Sequence, residues 1–269
     1  MTKPWDVAND KELPWLQQSR LAASVAELES LCPLVHSSKT MTPEQKSFFR
    51  ERGYLFLKGA FPKSQVRPIK EHILDELKRL KVWSSGKTLS ASIKNMPAFQ
   101  QIAKLSGMIK QNDLHAKLII QTASSTIASL AEAKVVPAQS QLLISLPNQG
   151  NWTLNGLNWH TDVSSSNPHR MPGIQAFILI DDVKPHGGAT LAIAGSHLLR
   201  SRNESSRVRE ILREKGDVEE ALHSSNLSIV EMSGQAGDLY LMDMRVLHTP
   251  SINSTSSIRM MATVRYLIE

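Results

Sequence analysis

The chain has 269 residues, 41% of them apolar, a net charge of +6 and a single cysteine, Cys32. That is length enough for one sizeable core. No apolar run is long enough for a membrane span, and a lone cysteine excludes an internal disulfide or a cysteine-rich metal site. Residues 1 to 7 have neither the basic start nor the apolar centre of a signal peptide, so a cytoplasmic, reducing compartment is expected.

In chain order, a helix is expected over about 43 to 52 and a strand from Tyr54 to Lys58. Val66, Ile69, Ile73, Leu74, Leu77 and Leu80 mark one apolar helix face, with Pro68 tolerable in its first turn. A second long helix is expected over 113 to 134, with Asp113 as N-cap and Pro137 just beyond its end. The pattern then changes. Short apolar strands are expected around 139–146, 157–162, 174–182, 189–193, 226–230, 238–243, 246–248 and 258–267, separated by Gly, Pro, Asn and Ser turns. Helices in front of such strands point to a barrel or double-sheet roll. The charged stretch 201–225, with its alternating Arg and Glu, fits a solvated surface helix.

The residues that carry chemistry lie in the strand-rich half. In an extended segment, side chains two apart share a face, so His160 and Asp162 can reach one ion while Thr161 turns away. A third ligand must come from elsewhere, and His248 stands at the end of the apolar run 237–247. Two imidazoles and one carboxylate on one side of a metal leave its opposite positions open, the facial arrangement of non-haem Fe(II) oxygenases. Arg259, eleven residues after His248, opens the last apolar run. A guanidinium inside a barrel needs a carboxylate partner, and one end of a dicarboxylic acid would satisfy it in bidentate fashion.

Four ordered blocks resemble the phytanoyl-CoA dioxygenase family of Fe(II)- and 2-oxoglutarate-dependent oxygenases. They are 41–59, with Thr42, Pro43, Phe48, Gly53 and Tyr54; 159–162; 187–197, with its glycine turn and Gly195-Ser196-His197 corner; and 237–259, with Asp238, His248, Asn253 and Arg259. The resemblance spans roughly residues 41 to 267. It implies an α+β fold with a mainly β core, a double-stranded β-helix (a cupin-like jelly roll) with N-terminal helices packed on one sheet. A single dioxygenase domain is implied over 1–269, with an extension at 1–40, a mainly helical part at 41–138, core strands at 139–269 and a lid at 201–225.

By the same resemblance His160, Asp162 and His248 hold iron, and Arg259 pairs with the distal carboxylate of 2-oxoglutarate. Gln141, Phe177 and Thr190 match positions beside the co-substrate. Where the family commonly has a small hydroxyl residue two after the distal histidine, this chain has Pro250, with Thr249 or Ser251 as substitutes. Loops 147–156 and 163–170 flank the metal segment, which makes Trp152, Asn155, His169 and Arg170 candidates for contacting substrate. His197 is read as a structural corner residue. The cofactors implied are Fe(II), 2-oxoglutarate and O2. The reaction implied is hydroxylation of an unactivated carbon on a small organic molecule, with release of succinate and CO2.

The basic excess is confined to the helical half: residues 39–138 hold 17 Lys and Arg against 7 acids, and 139–269 hold 11 against 13. An anionic small-molecule substrate is compatible with that field, whereas nucleic acid and membrane partners are not expected, since no aromatic-interleaved basic module is present. Two other readings stay open. A nucleic-acid dealkylase of the wider superfamily would account for Arg259 and Arg265 six apart, and a cupin-like metal protein would share the two histidines and carboxylate without a use for Arg259.

Overall fold

The computed structural model describes residues 22–23, 40–163, 170–199, 201–213 and 217–269. The front of the chain comprises β1 (Ala22–Ala23), α1 (Pro43–Arg52), β2 (Tyr54–Leu57), α2 (Lys63–Arg79), the hairpin β3 (Trp83–Ser84) and β4 (Lys87–Thr88), α3 (Ala91–Lys94), α4 (Ala98–Met108) and α5 (Asp113–Ala131). The strands that follow are β5 (Val135–Pro137), β6 (Gln141–Ser145), β7 (Gly173–Leu179) and β8 (Thr190–Ala194). After a 3-10 turn at Ser196–Leu198 come α6 (Arg202–Ile211), α7 (Val218–His223), β9 (Ser228–Glu231), β10 (Leu239–Asp243), β11 (His248–Pro250) and β12 (Arg259–Ile268).

Two sheets form the jelly roll. The larger runs β2-β10-β7-β12-β5, with β6 also paired to β12, and the smaller runs β1-β9-β8-β11. Every pairing between strands is antiparallel except β1 with β9. The helices α4 and α5 pack on the larger sheet, α5 across β12, β5 and β7 and α4 on β6. Burial on both faces explains why β7 is buried along its whole length and does not alternate with exposed residues. The main core joins Ile69, Ile73, Leu77, Ile119 and Ile127 of the helices to Ile174, Ala176 and Ile178 of β7. This is the α+β, double-stranded β-helix architecture implied by the sequence. Among the described residues, no helix is long and apolar enough to cross a membrane.

Local chemistry fixes the ends of α1 where they were expected. Thr42 and Gln45 form a reciprocal capping box, Pro43 occupies the first turn, and Gly53 closes the helix at φ 76° with its N–H on the Phe49 carbonyl. A Cβ at Gly53 would press into the His197 ring and come within 2.7 Å of Val246 Cγ2. His197 itself donates from Nε2 to the Arg50 carbonyl at 3.0 Å, and burial lowers its pKa, so it serves as the neutral corner residue expected of it.

Several boundaries differ from the sequence reading, among them the expected strand at 246–248, which is observed at His248–Pro250. The helix α2 begins at Lys63, which puts Pro68 in the second turn and removes the bond its nitrogen would make to Ser64. The N-cap of α5 is Asn112, whose side chain accepts from Leu114 N at 2.8 Å, and the helix stops at Ala131 because Glu132 turns left-handed. Residues 157–162 make no strand, only an isolated bridge at His160.

The stretch 201–225 is docked on the roll where it is described. Val208, Ile211, Leu212, Val218 and Leu222 are buried in a second apolar cluster with Leu191 and Ile193 of β8, Ile229 of β9, and Trp152 and Trp159. Arg209 extends from α6 to the Trp159 carbonyl at 3.5 Å, next to the first candidate ligand.

Candidate metal centre

His160 and His248 are brought together by backbone. Each donates its N–H to the other's carbonyl at 2.9 Å, and their rings lie 4.4 Å apart between centroids. Asp162 N then donates to the Met244 carbonyl at 3.1 Å, which fixes the third candidate beside them. One potential ligand atom from each of His160, Asp162 and His248 lies within 4.8 Å of the others.

Both imidazoles are oriented in the same way. His160 Nδ1 is 2.8 Å from the Asn158 carbonyl, and His248 Nδ1 is 3.0 Å from the Val246 carbonyl. A carbonyl can only accept, so each ring proton resides on Nδ1 and each Nε2 keeps its lone pair for a metal. Burial lowers the His248 pKa, outweighing the pull of Asp162, and so favours the neutral ligand form. Asp162 presents its two oxygens differently. Oδ1 accepts from Arg265 Nη2 at 2.7 Å, while Oδ2 is buried without a hydrogen-bond partner among the described residues and lies 3.9 Å from His248 Nε2. Two imidazole nitrogens and one free carboxylate oxygen suit a divalent first-row metal.

A cavity of about 440 Å³ opens on this centre. His160, His248 and Arg259 line it, together with Gln141, Phe177 and Thr190, so the structure gathers all three proposed co-substrate positions at one place. Arg259 is 2% exposed, its Nη1 donates to Met261 Sδ at 3.3 Å, and its Nε and Nη2 have no partner among the described residues. Burial pushes its pKa down to about 9, so it is still a cation at neutral pH. A buried guanidinium with two unused donors is an expensive feature unless an anion satisfies it. Gln175 adds an acceptor to the same wall. Thr263 Oγ1 spends its hydrogen on the Ala176 carbonyl at 2.8 Å and must therefore accept from Gln175 Nε2 at 2.9 Å. Gln175 Oε1 is left buried, with no partner among the described residues.

Other expected contacts fall elsewhere. Along β11, His248 and Pro250 share the face that lines the cavity, and neither Thr249 nor Ser251 lines it. Neither hydroxyl therefore substitutes at the place where the family commonly has one, because strand alternation assigns them to the other face. Trp152 is buried against the His186 ring, centroids 4.7 Å apart, and belongs to the second apolar cluster. Asn155 is exposed in a turn, Arg170 is exposed, and His169 lies outside the described residues. None of the three described candidates lines the cavity.

The residues that do form its outer wall escaped the sequence reading. Phe99, Ile102, Ala103 and Ser106 of α4 line the cavity with Gly107, and the Phe99 and His160 rings form a T-shaped pair with centroids 6.3 Å apart. Their spacing of 0, 3, 4 and 7 was a helix signal, but the face it marks is made partly of small residues and carries little apolar contrast. The Ser106 hydroxyl donates to the Leu142 carbonyl and so docks α4 on β6.

With this geometry in view, a family model described as phytanoyl-CoA dioxygenase matches residues 49–261. No curated protein matches the sequence. Solved structures with a similar fold include the non-heme alpha ketoglutarate dependent carbocyclase SnoK from nogalamycin biosynthesis, with 19% identity and a TM-score of 0.56 over 85% of this chain and 84% of that one. EctD from S. alaskensis, solved with 2-oxoglutarate and 5-hydroxyectoine, has 19% identity and a TM-score of 0.58 over 90% of this chain and 81% of its own. EvdO2 from Micromonospora carbonacea var. aurantiaca, complexed with 2-oxoglutarate, has 16% identity and a TM-score of 0.54 over 86% and 92% respectively. At these identities the likeness is one of fold.

Proposed function

Because the chain belongs to the phytanoyl-CoA dioxygenase family, we propose that it holds Fe(II) through His160, Asp162 and His248, binds 2-oxoglutarate against Arg259, and hydroxylates an unactivated carbon of a small organic molecule. The observation that carries this reading is the pair of unused donors on Arg259, buried in the same cavity as both histidines. A dicarboxylate that reached toward the metal with one end would satisfy them with the other.

When bound, Fe(II) would supply the oxidising chemistry with O2 as oxidant, one oxygen atom going to the succinate formed from 2-oxoglutarate with loss of CO2 and the other to the substrate carbon. The chain's own residues orient and enclose. Arg259 fixes the far end of the co-substrate, Gln141, Phe177 and Thr190 surround it, and Leu143 and Ile102 make the wall apolar and keep water out. The buried Gln175 Oε1 favours a substrate that carries an N–H or O–H donor. Phe99, Ala103 and Gly107 bound the mouth, and 201–225 is read as a docked cover within a single dioxygenase domain.

Two alternatives lose support. The spacing of Arg259 and Arg265 had suggested a nucleic-acid dealkylase, but both belong to the inward face of β12, and Arg265 Nη2 is engaged by Asp162. A metal protein without an oxidase role has no use for the buried guanidinium at 259. The deciding experiment supplies Fe(II), 2-oxoglutarate and a metabolite panel and scores substrate-dependent succinate release by mass spectrometry. Release that matches an Asp162→Ala control for every compound would defeat the reading.

A further inference from the structure

We propose that Arg265 is a positioning residue which makes Asp162 a one-oxygen metal ligand, and so keeps a coordination position open beside the co-substrate. The inference rests on the ligand set proposed above and adds a role for a residue outside it. Arg265 Nη2 lies 2.7 Å from Asp162 Oδ1, and Oδ2 has no partner among the described residues and sits 3.9 Å from His248 Nε2. The two oxygens of one carboxylate are thus divided between a guanidinium and the metal position.

The division follows from the strand. Arg259, Thr263 and Arg265 are separated by even intervals on β12 and all line the cavity, as one face of a strand must. Arg265 stands directly opposite Gln175 of β7, whose amide is tied to Thr263 Oγ1. That side of the guanidinium therefore meets an anchored neighbour. The Asp162 side chain is only 5% exposed, so its carboxylate has little freedom to rotate away.

The consequence is coordinative. A metal with three protein ligand atoms in a facial set has three remaining positions, enough for a bidentate keto acid and for oxygen. Were Asp162 to bind through both oxygens, one of these would be lost. Oδ1 is poorly suited to a second cation while it holds a charged N–H at hydrogen-bond distance, because the guanidinium repels the metal there. Arg265 thereby excludes the two-oxygen mode.

The probe is Mn(II) alone, added to the full chain without co-substrate, with metal-bound waters counted from electron paramagnetic line broadening in water enriched in the magnetic oxygen isotope. Arg265→Met should show one water fewer than wild type as Asp162 closes onto the metal with both oxygens. Arg265→Lys, which keeps a cation near Oδ1, should restore the wild-type number, and Asp162→Ala should show one more. The Arg265 side chain is 42% exposed, and Arg265→Gln serves the same comparison if the methionine variant does not fold. A wild-type water count in a folded neutral variant overturns the proposal. Failure of the wild type to bind Mn(II), or an unchanged count in Asp162→Ala, would instead overturn the ligand set, and this inference with it.

Discussion

His160 and His248 exchange both of their backbone hydrogen bonds, 2.9 Å in each direction, although no strand runs through residues 157–162. The main chain therefore sets the distance between the two rings, and neither side chain is needed to keep the segments together. Ligation and folding are separable at this site.

His248→Ala should accordingly keep the fold while losing metal. The bridge survives because alanine retains both backbone groups, and the expected fall in metal affinity exceeds about a hundredfold, the upper end of what even an outer partner of a ligand typically costs. Metal content after gel filtration, read beside a far-ultraviolet spectrum, checks both halves. A folded variant with wild-type metal content would remove His248 from the ligand set.

For Arg259 the direction depends on what is bound. Its guanidinium is buried and lacks partners for Nε and Nη2 among the described residues, so Arg259→Met should leave the ligand-free protein at least as stable as the wild type. The dissociation constant for 2-oxoglutarate should rise by about a hundredfold or more, since removing one member of a buried charge pair costs roughly 3 to 5 kcal/mol. Thermal melts with and without 2-oxoglutarate in the presence of Mn(II) test this. Equal protection of both proteins would assign the far carboxylate to another group.

What the sequence made legible was local. The boundaries of α1 are encoded within twelve residues by Thr42, Pro43, Gln45 and Gly53, and His160, Asp162 and His248 are conspicuous because two imidazoles and a carboxylate are a metal-ligating set. Contacts that arise from sheet closure were hidden. Asp162 and Arg265 are 103 residues apart and meet only because β12, an interior strand paired with β7, brings Arg265 back beside the metal segment. The helix α4 was hidden for a different reason: Ala103, Ser106 and Gly107 on its cavity side are small, so burial and openness look alike in the sequence. Trp152 misled in the opposite sense, since a large aromatic beside the metal segment proved to pack in the second core.

The small residues of α4 can be used to close the mouth. A Cβ at Gly107 would meet nothing within 4 Å, and phenylalanine is a better helix residue than glycine. Gly107→Phe should therefore fold normally and bind metal and 2-oxoglutarate as the wild type does, while substrate-dependent succinate release falls by at least about tenfold through a blocked approach. Unchanged turnover with the substrate found from the panel would mean that substrate enters past another wall.

Glu231 predicts a pH dependence of stability that is independent of the metal. It is 2% exposed at the end of β9, accepts one hydrogen bond from His186 N at 2.8 Å, and burial pushes its pKa from 4.5 up to about 7. The unfolded chain loses this proton near the ordinary carboxylate value, whereas the folded protein keeps it until about pH 7. Between those values folding takes up a proton, so stability falls as pH rises, and above the folded pKa the loss is complete. At about 1.4 kcal/mol per unit the full effect is about 3 kcal/mol. Glu231→Gln keeps an acceptor for His186 N and cannot ionise, so the variant should gain about that much relative to wild type on going from about pH 5 to pH 8, as measured by urea denaturation at the two values. A stability difference between the two proteins that stays constant across this range would show that Glu231 is ionised in the folded protein throughout, and that burial does not govern its titration.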